Sequence, residues 1–304
     1  MQSAWHLWIW AVWIMIQPVC GWSAEISVTD ATDRTVVLSQ PARRVVALAP
    51  HLTELMFAIG AGNLVVGAAD YSDHPAPAVH IPRIGGYDRF NLEAVIALRP
   101  DLILGWENGN PPHLLERLER FGLPLLRTDP KELEEIPLDL ERLGDLTGHP
   151  DQAKEAAQRF RARQTELGQR FQDRPRITTF YQVWNTPLMT VNDRHLISAV
   201  IRLCGGLNPF GSLPTLAPIL QVEAVLEANP EAIIASGMNQ QRPEWLDQWR
   251  TWPTLHAVKN DNLFFIPPDL LQRHTPRILD GAEQLCHQLE AVRLRRSKGP
   301  KTGL

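Results

Sequence analysis

The sequence lacks the motifs of the common enzyme classes. It has no Gly-x-Ser-x-Gly nucleophile elbow, no phosphate-binding P-loop and no His-Glu-x-x-His pair, and its histidines are scattered. Gly60 and Gly62 follow a helical pattern, whereas the glycines of a dinucleotide fingerprint follow a strand and open a helix. These absences predict no catalytic residues and no catalytic metal site.

The chain also lacks an excess of positive charge. It carries 30 Lys and Arg against 34 Asp and Glu, for a formal net charge of −4, whereas nucleic-acid binders usually present a basic face. The short basic run at 293–298 is typical of a solvated helix end. We therefore expect no nucleic-acid partner.

Residues 1–24 contain no Asp, Glu, Lys or Arg and hold five of the ten tryptophans. The segment is too short, and too interrupted at Gln17 and Pro18, for a membrane span, and it ends in small residues as a secretory signal does. It predicts an exported protein cleaved between Gly21 and Ala24. Lipidation at Cys20 is the alternative.

Only two cysteines, Cys204 and Cys286, follow that signal. In an oxidising compartment an even pair predicts a disulfide, and two small buried thiols are the alternative.

Short apolar runs alternate with helical patterns in two blocks, which predicts parallel α/β sheets. Between the blocks, residues 148–173 carry Ala153, Phe160 and Leu167 on one helical face and charges on the other. The fold class we predict is α/β, with two Rossmann-like lobes at 42–147 and 174–296 joined by one long backbone helix. Residues 297–304 are expected to form a flexible tail. A single long connecting helix implies limited hinge motion.

One pattern occurs twice, at 91–106 and 221–237: Glu-Ala-Val, further apolar residues, a proline, an acidic residue and an apolar run. The glutamates, Glu93 and Glu223, are predicted in the first turns of equivalent helices, one in each lobe. Stabilisation of the helix dipole is the simplest interpretation. Equivalent positions in two lobes would also place both carboxylates on one rim of the molecule.

Aromatic residues occur at the ends of predicted strands, where open α/β sheets place their ligands. Tyr71, Trp106 and Trp184 each follow a strand, and Tyr87 lies in the Gly-Gly loop before the first repeat helix. A single such residue is ordinarily packed in a core or loop. Several of them predict a cleft for a large, flat or amphipathic ligand.

The segments VVALAPHLTELMFAIG, DYSDHP, IGGYDRFNLEAVIALRPDLILGW and CGG resemble those of the helical-backbone substrate-binding proteins of ABC importers. The similarity is greatest to the cobalamin-binding subgroup and runs from about Arg44 to Val292. The resemblance implies a periplasmic monomer that carries cobalamin (vitamin B12), or a related corrinoid, as its transported ligand and has no cofactor of its own.

The resemblance also implies roles for particular residues. Tyr71, Tyr87 and Trp106 would line the cleft from the N-terminal lobe, and Asp269 and Arg273 from the C-terminal lobe. We add Trp184 for its place at a strand end. Asp269 and Arg273 would form an i,i+4 ion pair if their segment were helical, but Pro267-Pro268 just upstream predicts a loop.

Glu93 and Glu223 are implied to dock onto arginines of a two-fold importer permease, because a guanidinium binds a carboxylate in bidentate geometry.

Two alternatives remain open at this point. One is a receptor of the same fold for haem or a ferric siderophore, with Tyr71 or a nearby histidine as an axial ligand. The other is an extracytoplasmic enzyme on a similar scaffold, for which the sequence supplies no paired nucleophile and base.

Overall fold

The computed structural model describes residues 25–237 and 241–297. The predicted signal peptide, residues 1–24, lies outside the described residues, as does the predicted tail beyond Ser297. No helix in the part of the chain that is described is both long and apolar enough to cross a membrane.

The N-terminal lobe, as we use the term, comprises the described residues up to 147 and contains one four-stranded parallel sheet. Its strands are β1 (Ile26–Thr29), β2 (Thr35–Leu38), β3 (Val45–Ala47), β4 (Val65–Ala68), β5 (Gly85–Gly86), β6 (Arg89–Phe90), β7 (Leu102–Trp106) and β8 (Leu125–Thr128). The sheet has the order β4-β3-β7-β8, while β1-β2 and β5-β6 are antiparallel pairs. Its helices are α1 (Pro50–Ala58), α2 (Leu92–Ala97), α3 (Pro112–Arg120) and α4 (Glu135–Thr147).

The backbone helix, α5 (Pro150–Phe171), has 22 residues and connects the lobes. It buries Ala153, Phe160 and Leu167 as the spacing predicts. At a rise of 1.5 Å per residue it extends about 33 Å.

The C-terminal lobe, as we use the term, comprises the described residues from 174 and has a second four-stranded parallel sheet. Its strands are β9 (Ile177–Gln182), β10 (Gly206–Leu207), β11 (Ala232–Ala235) and β12 (Leu263–Phe265), in the order β10-β9-β11-β12. Its helices are α6 (Leu196–Leu203), α7 (Val222–Ala228), α8 (His256–Lys259), α9 (Pro268–Leu271) and α10 (Ile278–Ser297). Residues Glu244–Thr251 form a 3-10 helix.

Each sheet is covered on both faces, which explains its nearly continuous apolar strands. In β3, Val45 and Ala47 face a core that extends through α5 into the C-terminal lobe, whereas Val46 faces a separate N-terminal cluster. In β11, Ile234 faces the shared core and Ile233 a cluster of the C-terminal lobe alone. The two lobes are therefore packed into one molecule around the backbone helix.

The predicted disulfide is confirmed: Cys204 and Cys286 are joined, with an S–S distance of 2.07 Å. Cys204 follows α6 and Cys286 lies within α10, and both are fully buried. The bond therefore ties the last helix to the body of the C-terminal lobe.

Candidate ligand-binding site between the lobes

Trp106, at the end of β7, is held in place by the turn that follows it. The Asn110 side-chain oxygen accepts a hydrogen bond from the Trp106 amide at 2.7 Å, and its amide nitrogen donates to the Leu48 and Tyr87 carbonyls at 3.0 and 2.7 Å. The indole lies against Gly109, where a Cβ would come within 1.8 Å of the ring. Asn110 and Gly109 therefore fix the indole, and sequence reasoning identified neither.

Two tyrosines of the same lobe lie at its surface. The Tyr87 ring is 5.6 Å from the Trp106 ring, at 47° to it, and is 42% exposed. Tyr71 is 77% exposed and has φ = 63°, a left-handed conformation that is uncommon for residues other than glycine. Tyr87 and Trp106 thus form one aromatic surface, and Tyr71 projects from a neighbouring loop.

Two histidines that the sequence did not single out meet Trp106 at the lobe boundary. His51 lies on α1 and His274 follows α9, and their rings are 5.2 Å apart. The centroid of the Trp106 ring is 5.2 Å from that of His51 and 5.6 Å from that of His274. One nitrogen of each of the three rings is buried without a hydrogen-bond partner in the described structure.

Burial keeps both imidazoles neutral. It lowers the pKa of His51 to about 3, with a further contribution from the nearby Arg273 charge. It also lowers the pKa of His274 well below its ordinary value, helped by the neighbouring His51 and His195. At neutral pH these side chains can therefore accept hydrogen bonds or coordinate a metal.

Arg273 lies at the same boundary and has several partners in both lobes. Its guanidinium contacts the Glu54 carboxylate at 2.7 Å, Asp73 at 2.9 Å, the Tyr71 carbonyl at 3.1 Å and Asp269 at 3.0 Å. Burial lowers the pKa of this guanidinium, but the Glu54 and Asp269 carboxylates outweigh burial and leave it above its ordinary value.

The loop predicted for the segment of Asp269 and Arg273 is wrong in its first part. Pro268–Leu271 forms the short helix α9. Pro268 is its first residue, where the missing amide hydrogen costs little because an amide at this position has no partner within the helix. Asp269 and Arg273 accordingly form the i,i+4 ion pair that we set aside.

Glu54, on α1, is the most buried charge at the boundary, with a side chain 3% exposed. Its carboxylate also contacts Arg277 through two nitrogens, each at 2.9 Å. The only signal in the sequence was an acidic residue within the apolar helical segment LTELMF.

Trp184 does not join this cluster. It follows β9, and its indole nitrogen donates to the Thr186 carbonyl at 2.9 Å. Among the residues described, no aromatic ring pairs with it.

Glu93 and Glu223 are found in the first turns of α2 and α7, and both are exposed. In the described ranges neither takes part in an ion pair or a side-chain hydrogen bond. Both carboxylates are therefore accessible to a partner.

Residues 45–270 match the family described as periplasmic binding protein. The chain is 36% identical over 251 residues to the vitamin B12-binding protein of Vibrio cholerae serotype O1 (strain ATCC 39541), which covers 82% of this chain and 90% of that protein. It is 38% identical over 246 residues to the vitamin B12-binding protein of Photorhabdus laumondii, covering 81% and 87% of the two chains.

Comparison with solved structures also finds similar proteins. The periplasmic vitamin B12-binding protein BtuF of Vibrio cholerae superposes with a TM-score of 0.77 at 35% identity, over 83% of this chain and 98% of that one. The periplasmic heme-binding protein RhuT from Roseiflexus sp. RS-1 gives 0.72 at 21% identity, over 83% and 99%. The latter likeness concerns the fold alone.

Proposed function

Because the chain belongs to the periplasmic binding protein family, we propose that it captures cobalamin or a related corrinoid between its lobes and delivers it to an ABC importer. The observation that carries this proposal is the aromatic surface of Tyr87 and Trp106 at the lobe boundary, where His274 of the opposite lobe contacts Trp106 and Arg273 contacts the Tyr71 loop. The relatives named as vitamin B12-binding proteins extend over more than four fifths of the chain. We assign no reaction to the protein.

The ligand explains the residue types. A corrinoid has a broad ring with apolar faces and a fringe of amides, so it requires aromatic planes and a few polar groups. We assign the faces to Tyr71, Tyr87 and Trp106, with Trp184 contributing from the other lobe. Asp269 accepts from the amide fringe, and Arg273 holds Asp269 and the Tyr71 carbonyl in place.

Calorimetric titration of the purified protein with cyanocobalamin tests the ligand. We expect saturable one-to-one binding, accompanied by quenching of tryptophan fluorescence beyond simple absorption of light. A titration without heat or quenching would remove the corrinoid assignment.

Haem is the second candidate ligand, and a specific observation favours it. The neutral imidazoles of His51 and His274 lie beside Trp106 and have unpartnered nitrogens, and neutral imidazole is a common axial ligand of haem iron. An absorbance spectrum of the protein mixed with haem would show a shifted Soret band if a histidine coordinates the iron. Tight haem binding without cobalamin binding would make haem the cargo.

Glu93 and Glu223 are proposed to dock onto arginines of the importer permease. Replacing both by alanine is expected to abolish uptake of cobalamin in cells while the purified protein binds it unchanged. The matched control replaces Glu116 and Glu244, two other exposed carboxylates in different lobes, and should transport normally. If the Glu93 and Glu223 variant loses cobalamin affinity, docking is the wrong role.

Residues 1–24 are proposed to be a signal peptide that exports the chain to the periplasm, where it acts as a monomer. The mass of the protein recovered from the periplasm should correspond to cleavage between Gly21 and Ala24. A full-length mass would contradict the signal.

A further inference from the structure

Glu54 connects the two lobes through two arginines. It belongs to α1 of the N-terminal lobe, whereas Arg273 and Arg277 lie between α9 and α10 of the C-terminal lobe. Arg273 is 219 positions from Glu54 in the chain, and Arg277 is 223 positions away. Both carboxylate oxygens are used: Oε1 by both arginines at 2.7 and 2.9 Å, and Oε2 by Arg277 at 2.9 Å.

The same arginine reaches the loop that carries Tyr71. Arg273 donates from Nη1 to both Glu54 and Asp73, and from Nη2 to the Tyr71 carbonyl. Tyr71 has a positive φ, and such a conformation persists in a tyrosine only where its surroundings hold it. Glu54 is the most buried of the three carboxylates that hold this guanidinium, and the orientation of the guanidinium bears directly on the exposed Tyr71 loop.

We propose that Glu54 is a positioning residue for cargo capture. By sharing its carboxylate between Arg273 and Arg277, it sets the spacing of the lobes and the conformation of the Tyr71 loop before cargo arrives, without touching the cargo itself. The proposal rests on the proposed function for the identity of the cargo, but the lobe spacing can be measured without any ligand.

A buried ion pair can position two lobes without adding much to the stability of the fold. A buried ion pair often adds little net stability, because removing both charges from water offsets their attraction, yet it restricts geometry strongly. In Glu54→Gln the volume is preserved, but one carboxylate oxygen is replaced by an NH2 group that faces guanidinium donors. Part of the network is then lost, and the lobes should sample additional spacings.

A second ion pair across the lobes provides the matched control. Arg202 of α6 contacts both oxygens of Glu132 at 2.8 Å, but both side chains are substantially exposed. Exposed pairs contribute little and are screened by solvent. Glu132→Gln should therefore leave both the lobe spacing and cargo affinity unchanged.

The experiment measures distances between spin labels on cysteines introduced at Glu116 and Gln248, two exposed positions in different lobes. The native Cys204 and Cys286 are joined and do not react. Without ligand, wild type and Glu132→Gln should give one narrow distance distribution, and Glu54→Gln a broad one. Affinity for cyanocobalamin should fall about tenfold in Glu54→Gln if the competent arrangement falls to about one tenth of the population.

If Glu54→Gln does not fold, Arg277→Lys serves in its place, since it keeps the charge but loses the two-nitrogen contact. A narrow distribution in the folded variant overturns the proposal, and so does unchanged cyanocobalamin affinity even where the distribution broadens. Failure of wild type to bind cyanocobalamin would instead remove the corrinoid assignment. In that event the ligand-free distances alone decide whether Glu54 sets the lobe spacing.

Discussion

The two lobes share a structural framework and differ at the end of the third strand of each sheet. In each, a short helix, a proline turn and a buried strand occur in the same order, α2 to β7 and α7 to β11, and each strand holds the third place in its sheet. The residue before each proline, Arg99 and Asn229, has a positive φ of 46° and 42°. The repeated sequence therefore encodes a repeated backbone.

The acidic residue that follows the proline of each repeat has the same structural role in both lobes. Asp101 accepts hydrogen bonds from the backbone amides of Arg43 and Arg44, next to β3, and Glu231 accepts from the amide of Thr178 in β9. Each carboxylate thus anchors the start of the neighbouring strand, which explains why the repeat keeps an acidic residue after its proline.

The difference lies at the strand ends. Trp106 ends β7, whereas the corresponding residue of the C-terminal lobe is Ser236, whose hydroxyl donates to the Ile266 carbonyl at 3.1 Å. The shared positions build the framework, and the position that is not shared carries the aromatic surface. The residues that the two repeats share therefore indicate the backbone framework, and the position at which they differ indicates the candidate ligand-binding site.

The largest effect is expected from the one covalent link, which only the C-terminal lobe has. Replacing Cys204 and Cys286 by alanine should lower the free energy of unfolding by about 4–5 kcal/mol, an upper figure from the chain entropy of a loop of this length. Hydrogen exchange measured by mass spectrometry should show lost protection in α6 and α10. Equal loss in the N-terminal lobe would contradict lobe-specific stabilisation.

The next largest effect is expected on cargo affinity, from the residues at the two corresponding strand ends, Trp106 and Ser236. Trp106→Ala should weaken cyanocobalamin binding by about 1–3 kcal/mol, since a large aromatic contact is lost. Ser236→Ala, the equivalent change in the other lobe, should leave binding unchanged. Calorimetry on both variants measures the difference, and equal losses would show that the lobes contribute alike.

The two anchoring carboxylates, Asp101 and Glu231, should contribute different amounts to the free energy of unfolding. Asp101→Ala removes contacts to two backbone amides and should cost about 1–2 kcal/mol of unfolding free energy. Glu231→Ala removes contacts to the amide and hydroxyl of Thr178 and an exposed ion pair with Arg296, which contributes little, and should cost about 1 kcal/mol. Denaturant unfolding gives both values. A larger cost for Glu231→Ala would reverse the order of importance.

The smallest effect concerns the repeat helices. The Asn91 side chain caps α2 by accepting from the Ala94 amide at 2.9 Å, whereas Gln221 makes no such bond to α7. Asn91→Ala should cost about 1 kcal/mol, and Gln221→Ala should stay within about 0.5 kcal/mol of wild type. Thermal unfolding of both variants measures the difference, and indistinguishable melting would argue against the cap.

Much of the framework was predictable because it depends on local patterns. The backbone helix followed from apolar spacing, the equivalent helices from the repeat, and the disulfide from the two cysteines that follow residue 24. The segment that begins with Pro267 and Pro268 was predicted wrongly as a loop, because two prolines are equally compatible with a loop and with the first turn of a helix. Trp106 ends β7, but it meets Tyr87 from the loop between β5 and β6, a contact that strand ends alone do not predict.

The sequence by itself determined the two α/β blocks, the helix between them, the repeated helix, proline and strand, and the aromatic strand ends. Each of these depends on periodicity or on residues within a few positions of one another. Only the tertiary structure decided that His51 lies against His274 and that Glu54 is shared by Arg273 and Arg277. An acidic residue on an apolar helix does not specify its partner, because burial and pairing depend on how the lobes come together around α5.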